Sequence, residues 1–357
     1  MSSFPSFYRG KKVLLTGHTG FKGGWLACWL KLLGAQVIGF ALLPDTQPNL
    51  FEAAGINRET VSVIGDIRDF DSVGRIFQQY SPEIVFHNAA QPLVRRSYRD
   101  PVATYATNVM GTVHVLEAVR RTPSVRAAVV VTSDKAYENR EWFWPYREED
   151  AMGGHDPYSS SKGCAELVSS AYRNSFFSGA NTTRLATARA GNVIGGGDWS
   201  EDRLIPDIVR GIASGQPIVI RRPASIRPWQ HVLEPLRGYL TLAQRLFEDG
   251  QDFSEAWNFG PREQDAISVE ELAKRVVASW KSGKLEIQSD SNAPHEAHVL
   301  RLSTAKARSR LKWEPALSLD QAIDWTVAWY ENYYRDPSSA AGITEKQIQD
   351  YSRVAFS

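Results

Sequence analysis

Cysteine is nearly absent: 357 residues carry only Cys28 and Cys164. Neither has metal-ligand or disulfide-framework spacing, so both read as small core residues in a reducing compartment. An excess of one charge is missing too. Forty-one Lys and Arg nearly cancel 40 Asp and Glu, and the basic residues are dispersed. No global field holds nucleic acid or an anionic membrane. The N-terminal "MSSFPSFYRGKK" lacks the charged-then-apolar order of a signal peptide. A long hydrophobic run is also lacking, because Lys31, Gly34 and Gln36 interrupt the apolar stretch from Trp25 to Leu43. That stretch reads as a helix followed by a strand rather than a membrane span. Repeats and low-complexity linkers are absent. The expectation is a cytoplasmic protein with no nucleic-acid or membrane partner.

What is present is ordinary for a globular chain, with 43% apolar and 23% charged residues. Strand-like "KKVLLTG", "AQVIGFAL", "EIVFHNAA", "RAAVVVTS" and "TTRLATARAGN" alternate with helix-like stretches at 21–33, 68–80, 100–121 and 158–177. This alternation predicts an α/β fold with a doubly wound parallel sheet covered on both faces. Beyond residue 190 the pattern loosens. Helices are predicted near 203–214, 232–248, 268–280 and 318–333, with short β pieces in "QPIVIRRP" and "KLEIQSD". The expected division is a nucleotide-binding domain over 1–190, with a returning segment at about 230–262. A smaller, interleaved substrate lobe is expected over 191–229 and 263–357. "ENREWFWPYREEDAMGGHDP" reads as a surface loop whose aromatics cap a core.

"VLLTGHTGFKGGWL" places Gly17, Gly20 and Gly23 between the first strand and the first helix. A tight turn, a close backbone approach and a free helix N-terminus together suit a pyrophosphate. "PYSSSKGCAELV" sets Tyr158 and Lys162 four apart, on one helix face. A lysine ammonium beside a phenol favours the phenolate, which can then take a proton from a hydroxyl. The third feature is "VVVTSDKAY", where a strand buried on both faces ends on Ser133, Asp134 and Lys135. Two readings stand: an ion pair at a strand mouth, or an acid and a base facing a substrate. Adjacent strand residues point to opposite faces. Both can therefore face one substrate only if the strand has ended by about Ser133 and the chain turns there.

The G-x-x-G-x-x-G spacing of "TGHTGFKG" resembles the extended short-chain dehydrogenase/reductase superfamily, as do "GDIRD" (65–69), "HNAAQ" (87–91), "TNVMGT" (107–112) and "YSSSK" (158–162). Within it, "SDK" is similar to the nucleotide-sugar 4,6-dehydratases. It matches those members that act on CDP-glucose, and "RAGNVIGGGDWSEDRLIPD" and "RPWQHVLEPLRGYL" agree. The resemblance implies a Rossmann-type fold, an NAD cofactor, CDP-glucose as substrate and a homodimer packed through the helices near 100–121 and 158–177. It implies that Gly17, Thr19, Gly20, Phe21, Gly23, Asp66, Ile67, Ala89, Ala90 and Asn108 bind the cofactor, together with Tyr158 and Lys162. Asn108, in mid-helix, resembles the family's helix-bending asparagine, with a hydrogen-bonded core residue as the other reading. Tyr158, helped by Ser133 and Lys162, would serve oxidation at C4 of the sugar. Lys135 would take the C5 proton and Asp134 would protonate the departing C6 hydroxyl. Asn192, Arg203, Arg227 and Arg301 are implied substrate contacts, with a surface ion pair as the other reading of Arg203 and Arg301. The acid that usually ends the second strand is missing, Asp45 arriving late, so NAD over NADP rests on the resemblance. His295, Glu296 and His298 lie close in sequence but do not amount to a metal site. A nucleotide-sugar 4-epimerase shares everything but the acid and base; a non-catalytic dinucleotide sensor is the alternative of another class.

Overall fold

The computed structural model describes residues 4–180, 182–288 and 300–356. In chain order the strands are β1 (Lys12–Thr16), β2 (Gln36–Ala41), β3 (Val61–Ile64), β4 (Ile84–His87), β5 (Ala127–Val131) and β6 (Arg184–Ala190). There follow β7 (Asn192–Ile194), β8 (Ile218–Ile220), β9 (Ile226–His231), β10 (Ala256–Phe259), β11 (Ala266–Ser268) and β12 (Leu285–Ile287). Seven strands form one sheet in the order β10-β6-β5-β4-β1-β2-β3, and every pairing is parallel. Strand order reverses between β1 and β4, the place where a doubly wound sheet opens a crevice at its carboxyl edge. The fold is the Rossmann-type α/β sheet expected.

The valine run explains why β5 lies in the middle. All five of its residues are buried. Successive side chains alternate between faces, so Val129 and Val131 enter the core beneath the helices Phe21–Leu32 and Leu233–Glu248. Val130 enters the opposite core, with Val115, Leu116 and Val119 of the helix Gly111–Arg120. Each face buries apolar area worth about 25 cal/mol per Å², which a one-residue slip of register would forfeit.

Beyond β6 the chain builds a small antiparallel and parallel trio, β11-β9-β7, and a β12-β8 pair. It returns to the main sheet through the helix Leu233–Glu248 and β10. The helix Ala340–Ala355, absent from the sequence expectation, returns as well. Tyr351 meets Trp29 edge to face, and Glu345 pairs with Lys31 at 3.5 Å. The C-terminal stretch therefore packs on the helix Phe21–Leu32 as well as on its neighbours. Edge strand β3 and the short helix Val94–Arg99 were likewise unanticipated; Val61 and Ile64 are about half exposed, so β3 has no strong apolar signature. The segment around 138–156 is a loop as expected, but it buries Tyr146 and Glu148 while leaving Phe143 and Trp144 outside. No helix among the described residues is long and apolar enough to cross a membrane.

Candidate active site

The phosphate loop is drawn tight. Gly17 has φ +78°, and a Cβ there would come within 2.8 Å of the Ala89 backbone nitrogen. A Cβ at Gly23 would sit 2.0 Å from the Gly17 carbonyl oxygen. Only glycine allows this packing, which sets the exit of β1 against that of β4. Thr16 fastens the two, its Oγ1 accepting from the backbone N–H groups of Asn88 and Ala89 at 3.1 Å. The helix Phe21–Leu32 begins at exposed Gly20, with no side chain capping it and no acid in its first turn. Its first N–H groups are thus left for an anion. This uncapped terminus beside a glycine turn fits the diphosphate of a dinucleotide.

Other expected cofactor contacts are distributed around that crevice. Ala89 and Ala90 are half-buried at the end of β4. Asn108 is buried and fully engaged: its Oδ1 accepts from Gln91 N–H at 2.8 Å, and its Nδ2 donates to the Gln91 carbonyl and to Ser161. It sits in a π-helical turn, Ala106–Met110, so the hydrogen-bonded and helix-distorting readings describe one residue. Asp66 is held by Arg68 at 2.6 Å, and Ile67 is buried. The Thr19 hydroxyl is spent on the Leu42 carbonyl at 2.8 Å. No acid closes β2; Asp45 is exposed and lies 3.4 Å from Arg96. Instead, buried His18 reaches toward β2 and β3, its Nε2 paired with Ser62 Oγ at 2.7 Å. Burial lowers the His18 pKa to about 4, so the ring is neutral.

The turn after β5 meets the condition set by the sequence. The strand stops at Val131, Ser133 caps a 3-10 turn over Asp134–Ala136, and its Oγ accepts from Lys135 N–H at 3.2 Å. Strand alternation no longer applies here. Ser133 Oγ donates to Asp134 Oδ1 at 3.0 Å, and the Ser133 side chain is hydrogen-bonded to Tyr158. Asp134 is 4% exposed. Burial raises its pKa, against the pull of Lys135, Ser133 and Arg227. A raised carboxyl pKa suits a proton donor.

Tyr158 and Lys162 lie on the helix Pro157–Phe176, whose start is capped by Asp156 accepting from Ser159 N–H. Both are buried. Lys162 Nζ donates to the Val131 carbonyl at 3.4 Å. Its pKa is lowered to about 8 by burial, with Glu166 opposing. One expectation needs correction. The phenol is not drawn down toward neutrality by the lysine; burial pushes Tyr158 up to about 12, while Ser133 and Arg203 pull it partway back. Desolvation of an anion outweighs the neighbouring cations.

Arg227, on β9, is buried and lies near enough to Asp134 to stabilise its charge. Arg203 neighbours Tyr158, but its Nη1 is paired with Asp198 at 2.8 Å, so an ion pair does form. Asn192 begins β7 opposite Trp229. Arg301 stands apart, in the stretch beside Tyr146, with a buried Nε lacking a partner among the described residues. His295, Glu296 and His298 lie outside the described residues, among which no metal-binding cluster occurs.

Three neighbours were missed from sequence. Lys22 donates to the Tyr239 hydroxyl at 3.4 Å, and burial lowers its pKa to about 7, helped by Lys162 and Arg203. It stood in plain sight between two of the loop glycines. Tyr239, on the helix Leu233–Glu248, has no chemical partner near it in sequence and gave no signal. Glu166 did give one: it follows Lys162 by four, on the same helix face, and it pairs with Arg189 at 2.8 Å in full burial.

A profile of the GDP-mannose 4,6 dehydratase family matches residues 14–326. The chain belongs to that family. It is 52% identical over 350 residues to CDP-glucose 4,6-dehydratase of Salmonella typhimurium, covering 97% of each chain. In fold it is similar to the dTDP-glucose 4,6-dehydratase DesIV of Streptomyces venezuelae, solved with NAD bound. The TM-score is 0.77 at 24% identity, over 91% of this chain and 99% of that one. UDP-glucose 4-epimerase of Thermotoga maritima gives a TM-score of 0.76 at 23% identity, over 90% and 99%. Dehydratases and epimerases share this fold.

Proposed function

We propose that this protein is an NAD-dependent CDP-glucose 4,6-dehydratase, converting CDP-glucose to CDP-4-keto-6-deoxyglucose and water in deoxysugar synthesis. The observation that carries this reading is the turned Ser133-Asp134-Lys135 segment. In support of it, Asp134, with its raised pKa, and Ser133 neighbour the Tyr158 phenol, and Lys135 belongs to the same turn. The 52% identity to a CDP-glucose enzyme supports the choice of nucleotide.

The uncapped N-terminus after Gly20 and the glycine turn would hold the cofactor diphosphate, and Lys162 would hold the nicotinamide ribose. NAD, when bound, would supply the hydride acceptor for C4 of the sugar and the hydride donor for C6. Tyr158 must first give up its own proton, against the burial that pushes it up to about 12, and as the phenolate it then accepts the C4 hydroxyl proton while Ser133 hydrogen-bonds the same oxygen. The C5 proton, now next to a ketone, passes to Lys135. The Asp134 proton goes to the C6 hydroxyl, which departs as water. Lys135 then returns its proton to C5, and no net oxidation remains. Arg227 and Asn192 face the substrate from the second lobe, where a guanidinium fork suits a diphosphate.

A homodimer and a cytoplasmic location belong to the same reading. Val102, Tyr105, Met110 and Leu167 are exposed on the helices 101–120 and 157–176, as a helix-to-helix contact between two copies requires. Incubating the protein with NAD and CDP-, dTDP-, UDP- and GDP-sugars, followed by mass spectrometry, tests the function. Loss of one water from the CDP sugar is expected. Epimerisation without a mass change refutes the dehydratase reading.

A further inference from the structure

Glu166 and Arg189 form an ion pair beneath the site, with both side chains 4% exposed. Stability alone does not explain it, since a buried pair loses much of its attraction to desolvation and apolar residues often serve as well. Its connections are more telling. Glu166 Oε1 accepts from the Thr132 hydroxyl and from Arg189 Nε. Its Oε2 accepts from Thr187 Oγ1 at 2.7 Å and from Arg189 Nη2 at 2.9 Å. Arg189 Nη1 then donates to the Tyr137 hydroxyl at 2.6 Å and to the Glu148 carbonyl at 3.0 Å. The Tyr137 hydroxyl in turn donates to Asn258 Oδ1 at 2.8 Å, on β10.

Thr132 immediately precedes Ser133, and Tyr137 immediately follows the Asp134–Ala136 turn. The turn's internal bonds are long: Ala136 N–H to the Ser133 carbonyl at 3.2 Å, and Tyr137 N–H to the Asp134 carbonyl at 3.3 Å. One outside backbone bond reaches the turn itself, from Gly153 N–H to the Ala136 carbonyl at 2.9 Å, and two more flank it, from Thr132 N–H to the Ala188 carbonyl and from Glu138 N–H to the Ala151 carbonyl, both at 2.9 Å. We propose that the Glu166–Arg189 pair is a positioning device, clamping both ends of the Ser133–Lys135 turn to the helix that carries Tyr158 and Lys162. Tyr158 and Lys162 take their geometry from their own helix. Asp134 and Lys135 depend on the clamp, because a weakly bonded three-residue turn does not hold two reacting groups in register by itself.

The kinetic arm of the test rests on the dehydratase reading above; the exchange arm does not. Glu166→Gln leaves a buried guanidinium short of its counter-charge, so the milder Tyr137→Phe and Thr132→Val carry the experiment. Amide hydrogen exchange is read for the peptide covering 133–138 and for β5. We expect exchange at the turn to rise about tenfold in Thr132→Val, which loses one hydrogen bond, and at least as much in Tyr137→Phe, which loses two, with β5 unchanged. In a single turnover with CDP-glucose, formation of the reduced cofactor should keep within about threefold of the parent. Water loss should slow about ten- to a hundredfold, the rate equivalent of one hydrogen bond to a charged group. Unchanged exchange at the turn, or an equal rise throughout β5, overturns the clamp. So does equal slowing of both steps. If the unmodified protein removes water from no nucleotide sugar, the function fails, and the exchange result alone decides the clamp.

Discussion

Asp134→Asn separates the two halves of the reaction. Asparagine keeps the size of the side chain and can still bond Ser133, so the turn is undisturbed. What it loses is a transferable proton. A positioned general acid contributes about 10²- to 10⁴-fold, or about 3–5 kcal/mol of barrier, and that is the expected slowing of water loss. Oxidation should respond differently. A protonated Asp134 is neutral, as asparagine is, so the surroundings of Tyr158, whose phenol burial pushes up to about 12, keep their charge and the first proton transfer is not slowed. The fold should not suffer either, because asparagine keeps both the shape and the neutrality of the protonated side chain. The assay is stopped-flow absorbance of the reduced nicotinamide beside mass spectrometry of quenched samples. The expected trace rises at the parent rate and then persists, while unreduced keto sugar accumulates without losing water. Water loss within tenfold of the parent would refute the assignment of Asp134 as acid. A rise and a water loss that fall together would show that the residue is structural.

Lys162, with its pKa lowered to about 8, is protonated below that pH and loses its charge above it. The rate of the oxidation half should therefore fall as pH rises through about 8, and Lys162→Met should remove that limb of the profile. Gly23→Ala drives a Cβ into the Gly17 carbonyl at 2.0 Å; calorimetric titration should find NAD binding abolished. His87 and His231 are buried and lowered to about 3, and His18 to about 4, by desolvation. Below the unfolded value near 6.5 the unfolded chain binds protons that the folded one refuses. Each histidine should then remove up to about 1.4 kcal/mol of stability per pH unit on acidification. Urea titrations at pH 5 and 7 should show a shallower slope in His87→Gln. Val102→Lys with Leu167→Glu should convert a dimer to a monomer in light scattering.

Much of this molecule was legible because its signals are local. A run of valines, a glycine turn and a tyrosine four residues before a lysine each declare an element or a chemistry within a single turn or strand. The β-α alternation then fixed which strand ends meet in the crevice. Edge strand β3 was not legible, because half-exposed residues erase the period that identifies a strand. The helix Ala340–Ala355 was equally hidden; what holds it, Tyr351 against Trp29 and beside Glu234, comes from the far end of the chain.

The Tyr158 error has a different origin. Counting charged neighbours gives the sign of the Coulomb effect but not the burial opposing it, and only the folded state sets burial. The same limit explains why the Glu166–Arg189 network escaped notice. Its bonds join residues 23, 34 and 52 positions apart, and 121 for Tyr137 to Asn258. Sequence spacing describes what one helix or strand presents. An active site assembled from four strand ends is held by bonds between elements, and those bonds decide whether adjacent acid and base groups form an ion pair or face a substrate. Here the turn ends the alternation of β5 before Asp134, and burial raises its carboxyl pKa while Lys135, Ser133 and Arg227 pull it down. The balance between the two is set by the folded turn and not by the adjacency of the two residues in sequence.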